Sequence, residues 1–284
     1  MKQSKSADPI PDKVSSWCDT YKISYHFNRI NNKKIFWIET GKGFPLVLVH
    51  GFNASFYTWR FLFKNQVSGF RYIALDLPGF GCSESDMKKN GNIGVYADVI
   101  NEFLKFNAIK EAVLIGHSFG GLLCQYFVQK YYYRTKAVVL VAPAIPGNVR
   151  PPKKVEKGFM LYSYHNPRVL MPQDFDMFKA IGLKTPKALL KIKKFPKWSG
   201  SHEISIPCLV VWGKKDLILP IENIEDLKSR FSNVEIAELE DAGHCLHEEK
   251  PKLFETYLIY FISSILNRNA DKLISVKKDP NQPV

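Results

Sequence analysis

Ser118 lies at the centre of Gly116-His117-Ser118-Phe119-Gly120, with the apolar run Ala112–Ile115 before it and the helix-patterned Leu122–Lys130 after it. Glycines on both sides let a strand and a helix approach closely, and the turn between them lifts a hydroxyl above the carboxyl edge of a sheet. A serine there can attack an electrophilic carbon, or it can do no more than cap the helix. Attack requires a base to take the hydroxyl proton. Of seven histidines, His244 in Asp241-Ala242-Gly243-His244 follows the last strand-like run, where a loop returns over the same edge. His247 reads as a surface residue, His117 as a packing residue, and His50 as part of the wall beneath the loop it opens.

A histidine that accepts a proton needs a carboxylate to orient the ring and stabilise its charged form. Asp216, in Trp212-Gly213-Lys214-Lys215-Asp216, follows another buried run and lies between serine and histidine in the chain. Glu240 and Asp241 are the rival acids, but their closeness to His244 in sequence suits caps and turns.

These residues must be positioned by a sheet. Tyr21–Ile30 and Lys34–Thr40 flank Asn31-Asn32 and predict an antiparallel hairpin. Pro45–Val49 is a continuous apolar run, as expected of a strand covered by helices on both faces, and Tyr72–Leu75, Ala112–Ile115, Ala137–Val141 and Cys208–Trp212 share that character. Val95–Phe106, Leu122–Lys130, Ile221–Phe231 and Lys252–Asn267 carry helical patterns between or after them, and Val234–Leu239 reads as a further strand. Alternating strands and helices predict a mostly parallel central sheet flanked by helices. The alternation breaks at residues 145–205, read as a helical lid inserted into a core of 21–144 and 206–267. Residues 1–20 read as a polar leader and 268–284 as a polar tail.

The 284 residues, 45% hydrophobic with 20 Phe and 13 Tyr, supply a sizeable core and exclude a disordered chain. Five scattered cysteines without a CxxC pair suit a reducing compartment. Met1–Lys13 lacks the apolar stretch of a secretory signal and no run is long enough to span a bilayer, so a soluble, cytoplasmic protein is expected. The formal charge of +13 raises anionic partners. Residues 145–205 hold twelve basic and four acidic side chains, which is +8 of that total. Ala188, Leu189, Ile192 and Phe195 recur at helical spacing there, with Lys187, Lys191 and Lys194 on another face. Such a helix can attract anionic substrates, give weak contact with an anionic membrane surface, or cover a site while its lysines stay solvated. No module for nucleic acid is present in the sequence, and no metal or organic cofactor is implied.

Taken together, residues 21–267 resemble the α/β-hydrolase superfamily, in its esterase- and lipase-like branch with a serine nucleophile. The chain order Ser118, Asp216, His244 is that of the fold. His50-Gly51-Phe52 resembles the family's oxyanion loop, Asp76-Leu77-Pro78-Gly79-Phe80-Gly81-Cys82-Ser83 the turn after its next strand, Trp212–Pro220 its acid loop, and Gly243–Pro251 its histidine loop. The resemblance implies a triad of Ser118, Asp216 and His244, an oxyanion hole from the backbone N–H groups of Phe52 and Phe119, and a structural Asp76. Epoxide hydrolases and haloalkane dehalogenases are similar but place an aspartate where this chain has Ser118. The implied activity is that of a carboxylesterase, acting through an acyl-enzyme on a small or medium, largely apolar ester. A C–C bond hydrolase, aminopeptidase, thioesterase or lipase would use the same residues, and a small-molecule receptor could retain them.

Overall fold

The computed structural model describes residues 10–84, 93–146, 163–182 and 203–267. The apolar runs become β3 (Gly43–Val49), β4 (Gly69–Leu75), β5 (Ala112–His117), β6 (Thr135–Val141) and β7 (Cys208–Gly213), joined at the edge by β8 (Val234–Leu239). Every residue of β5 and β7 is buried, which is why both are apolar throughout. Edge strand β8 instead alternates, with Ala237 and Leu239 buried between exposed glutamates. The predicted hairpin is β1 (Ser24–Ile30) and β2 (Lys33–Gly41), and Asn31 and Asn32 both take the positive φ that a two-residue turn between twisted strands requires.

The eight strands form one sheet in the order β1-β2-β4-β3-β5-β6-β7-β8. From β4 to β8 every neighbouring pair is parallel, and β2 runs antiparallel to both β1 and β4. The loops leaving β3, β4, β5, β7 and β8 therefore all emerge at one edge. Helices α3 (Ile93–Phe106) and α4 (Phe119–Tyr131) pack on each other, and α4 lies against β5 and β6. The C-terminal helix of the described chain, Pro251–Ile265, contacts β6 and β7.

One element departs from the sequence reading. Residues Asp12–Thr20, within the expected polar leader, form helix α1, which buries Val14, Trp17 and Cys18 at helical spacing. Trp17 packs its ring on Phe56 and Tyr57 of the 3-10 turn Phe56–Trp59, which leads into the short helix α2 (Arg60–Asn65). Of the expected lid, residues 145–146, 163–182 and 203–205 are described, and 163–182 hold a 3-10 turn at Pro167–Val169 and helix α5 (Pro172–Ile181). Helix α5 docks against α1, with Lys13 paired to Asp176 at 2.7 Å. The basic segment Lys187–Phe195 lies outside the described residues, as does the tail 268–284.

Candidate active site

Ser118 sits between the last residue of β5 and the first of α4, in the left-handed region at φ 52° and ψ −114°. A non-glycine residue there costs about 1–3 kcal/mol and persists only where its surroundings hold it. Three backbone hydrogen bonds do so: Ser118 N donates to Val141 O at 2.9 Å, and Ser118 O accepts from Leu122 N at 3.1 Å and Ala144 N at 3.0 Å. The flanking glycines are needed for space. A Cβ on Gly120 would stand 2.1 Å from the Val49 carbonyl oxygen, and one on Gly116 2.5 Å from that of Gly120.

Asp216 lies three residues beyond β7 with its side chain fully buried, and its two oxygens are divided between two tasks. Oδ1 accepts from the backbone N–H of Ile218 at 2.8 Å and of Leu219 at 2.9 Å. Oδ2 faces His244 Nδ1 at 2.8 Å and accepts from Trp212 Nε1 at 3.2 Å. An acidic oxygen at Nδ1 places the imidazole proton there and leaves the Nε2 lone pair outward. Of the rival acids, Glu240 is exposed and pairs with Lys214 at 2.6 Å, and Asp241 is exposed in the turn before His244.

Ser118 and His244 line one cavity, with Phe52, Ser55, Thr58 and Phe178 among its walls. Phe52, in the loop after β3, and Phe119, at the start of α4, bring their rings to 6.1 Å in an edge-on contact beside it. Phe178 enters from α5, so part of the expected lid borders the cavity. Among the described residues, no group of three or more His, Cys, Asp or Glu could hold a metal ion, and no helix is long and apolar enough to cross a membrane. All five cysteines are unpaired.

The remaining polar residues around the site are structural in their contacts. His50 is buried, accepts from Leu77 N at Nε2 (3.0 Å) and lies 2.7 Å from Gly51 O at Nδ1, which is therefore the protonated nitrogen. Burial lowers its pKa to about 4. Asp76 accepts from Phe56 N at 2.6 Å and Cys82 N at 2.7 Å, and burial raises its pKa to about 7. His117 is buried and bonds His244 O through Nε2 at 3.0 Å, so it packs as expected but also braces the neighbouring loop. The reading of His247 as a surface residue is corrected. It is buried at the start of the short helix Leu246–Glu249, 2.9 Å from Thr58 Oγ1, and burial pushes its pKa well down.

A family model described as alpha/beta hydrolase fold matches residues 45–179 and 176–251. The chain belongs to the alpha/beta hydrolase fold family. This hydrolase is 28% identical over 258 residues to the dihydrolipoyllysine-residue acetyltransferase component of the acetoin cleaving system of Pseudomonas putida, covering 82% of this chain and 68% of that protein. It is 24% identical over 266 residues to a monoacylglycerol lipase of Mus musculus, covering 80% of this chain and 78% of the relative. Its fold is similar to that of an esterase from Exiguobacterium antarcticum, with a TM-score of 0.72 at 21% identity over 84% of this chain and 99% of that one.

Sequence reasoning missed one part of the hydrolase's cavity wall. Thr58, Tyr164 and Glu248 line it, and behind them the buried Arg60 pairs with Asp174 and Glu248. Thr58 and Glu248 are 190 positions apart. No local spacing signals a contact of that range. The one available hint was the apolar context of Arg60, which follows the buried Trp59 and precedes Phe61-Leu62-Phe63.

Proposed function

We propose that this protein is a carboxylic-ester hydrolase in which Ser118 is the nucleophile, His244 the general base and Asp216 the orienting acid. The observation that carries the reading is the 2.8 Å contact between Asp216 Oδ2 and His244 Nδ1, on a histidine that shares its cavity with a serine held at positive φ. With its Nε2 lone pair free, His244 takes the Ser118 proton as Oγ bonds to the acyl carbon. Negative charge then gathers on the former carbonyl oxygen. The backbone N–H groups of Phe52 and Phe119 are the donors assigned to it, an arrangement worth roughly 3–4 kcal/mol per donor in related chemistry. Collapse of the intermediate breaks the bond to the alcohol, which leaves with the proton from His244. Water, deprotonated by the same nitrogen, then releases the acid and restores Ser118.

A serine-directed fluorophosphonate tests the assignment, because an activated hydroxyl attacks phosphorus as it attacks an acyl carbon. Mass spectrometry should locate the adduct on Ser118, with parallel loss of turnover against a panel of acyl esters that also contains amides and thioesters. An adduct on another serine with Ser118 unmodified overturns the assignment. Turnover of the amides or thioesters in preference to every ester overturns the substrate class alone.

A further inference from the structure

The proposed reaction leaves a buried charge cluster on the cavity wall unused. Arg60 has no exposed side-chain surface, yet it serves two carboxylates: its Nε is 3.0 Å from Asp174 Oδ1, and its Nη1 bonds Glu248 Oε2. Thr58 Oγ1 donates to Glu248 Oε1 at 2.5 Å. That single hydroxyl proton is then spent, so the 2.9 Å contact with His247 Nε2 must run the other way, from ring N–H to Thr58 oxygen. Thr58 and Arg60 thus point their donors at Glu248, and His247 backs the Thr58 hydroxyl from behind. One guanidinium cannot neutralise two carboxylates, and the cluster keeps a net charge of −1.

This charge is felt inside the cavity. Glu248 and Thr58 line it, and the described lining contains neither lysine nor arginine. A carboxylate offers about four lone-pair sites, of which Thr58 and Arg60 occupy two. One that remains can accept a hydrogen bond from a substrate hydroxyl. A substrate carboxylate at the same place meets a like charge with no described cation on the cavity wall to offset it, a repulsion worth on the order of 100-fold in affinity at an intermediate dielectric.

We propose that Glu248, held by Arg60 and Thr58, sets the specificity of this site: it favours neutral esters that carry a hydroxyl close to the reacting bond and rejects esters that carry a carboxylate there. The inference rests on the reading of the cavity as an ester-hydrolysing site. It opposes the expectation, drawn from the lysines of residues 145–205, that anionic substrates are preferred.

The test uses esters of matched size with one acyl group: propyl butyrate, 2-hydroxyethyl butyrate and the butyryl ester of glycolate. Monomethyl succinate against methyl pentanoate probes the acyl side in the same way. For the parent enzyme, kcat/KM for the anionic member of each set should fall about 100-fold below the neutral one, and the hydroxyl-bearing ester should exceed propyl butyrate. Glu248→Gln removes the like charge and leaves Arg60 balanced by Asp174, so the anionic-to-neutral ratio should rise at least tenfold, and the hydroxyl preference should weaken because a neutral amide oxygen accepts less strongly than a carboxylate. Asp174→Asn, which removes one charge from the cluster without touching the cavity lining, should raise the same ratio several-fold and serves if Glu248→Gln does not fold. Equal rates on anionic and neutral esters in the parent, or a ratio unmoved in the folded variants, overturn this proposal alone. Failure of the parent to hydrolyse any of the esters overturns the reading of the site and this proposal with it.

Discussion

Replacing Asp216 by Asn tests the proposed acid through the hydrogen bonds that hold it. The side chain is fully buried, and Oδ1 accepts from two backbone N–H groups, Ile218 at 2.8 Å and Leu219 at 2.9 Å. An asparagine in the same place must put its carbonyl oxygen there, since an NH2 would face two donors. Its NH2 then occupies the Oδ2 position, opposite His244 Nδ1 and Trp212 Nε1, where the aspartate accepts from both. A donor facing Nδ1 selects the tautomer that carries its proton on Nε2. That nitrogen can no longer take a proton from Ser118, and kcat should fall about 10,000-fold, the scale seen when an orienting aspartate is lost from a serine triad. Trp212 Nε1 loses one of its two acceptors and keeps the Leu219 carbonyl at 3.2 Å, so the cost in stability should stay below about 1 kcal/mol. The assay is steady-state hydrolysis of a neutral ester beside a denaturant titration, with exposed Asp241→Asn as the comparison, expected to keep most activity. An Asp216→Asn enzyme within tenfold of the parent refutes the tautomer argument, and a severe loss in Asp241→Asn with a mild one in Asp216→Asn refutes the choice of acid.

Two further predictions concern the frame of the site. His50, with its pKa lowered to about 4 by burial, contributes stability that is full above the ordinary histidine pKa and is lost as pH falls toward 4; its share should drop by about 2 kcal/mol between pH 7 and 5. Asp76 and Glu255, both raised to about 7, act in the opposite direction in any variant, so the measurement is the difference in urea stability between parent and His50→Gln, which should shrink by that amount; parallel pH curves would refute it. Trp17→Ala should cost about 3 kcal/mol as a buried ring is lost, and because Tyr57 links that ring to Asp174 and Phe178 of α5, hydrogen exchange in residues 172–181 should accelerate; unchanged protection there would show that α1 does not support α5.

What the sequence made legible was local. The unbroken apolar runs of β3, β5 and β7 announce parallel strands because both of their faces are covered, and the glycines around Ser118 announce a close strand-to-helix approach because any Cβ would collide there. Helix α1 was hidden by composition: seven of the residues Asp12–Thr20 are neither aliphatic nor aromatic, and only the spacing of Val14, Trp17 and Cys18 betrays a buried face. His247 was misread for a different reason. Three residues after His244 it looks like part of an exposed loop, and nothing nearby in the chain shows that Thr58 supplies its partner. Selectivity, on the present proposal, depends on pairs of this kind, and a single sequence does not display them.

The two buried aspartates at the carboxyl edge show how small a difference separates a scaffold residue from a candidate acid. Both follow a parallel strand directly or within a few residues, and both accept two backbone N–H bonds. Asp76 spends one oxygen on each, bonding Phe56 N and Cys82 N, and the chain closes so tightly around it that a Cβ on Gly81 would stand 2.0 Å from Oδ2. Nothing is left to face a ring, and burial favours its neutral form. Asp216 gathers both backbone bonds on Oδ1, and its second oxygen stays available for His244. The distinction lies in the turn: Trp212 and the residues up to Leu219 wrap one side of the carboxylate and leave the other open toward the loop after β8. An acid for a histidine therefore needs a turn that satisfies only half of it, and of these two strand-end loops the one after β7 does so.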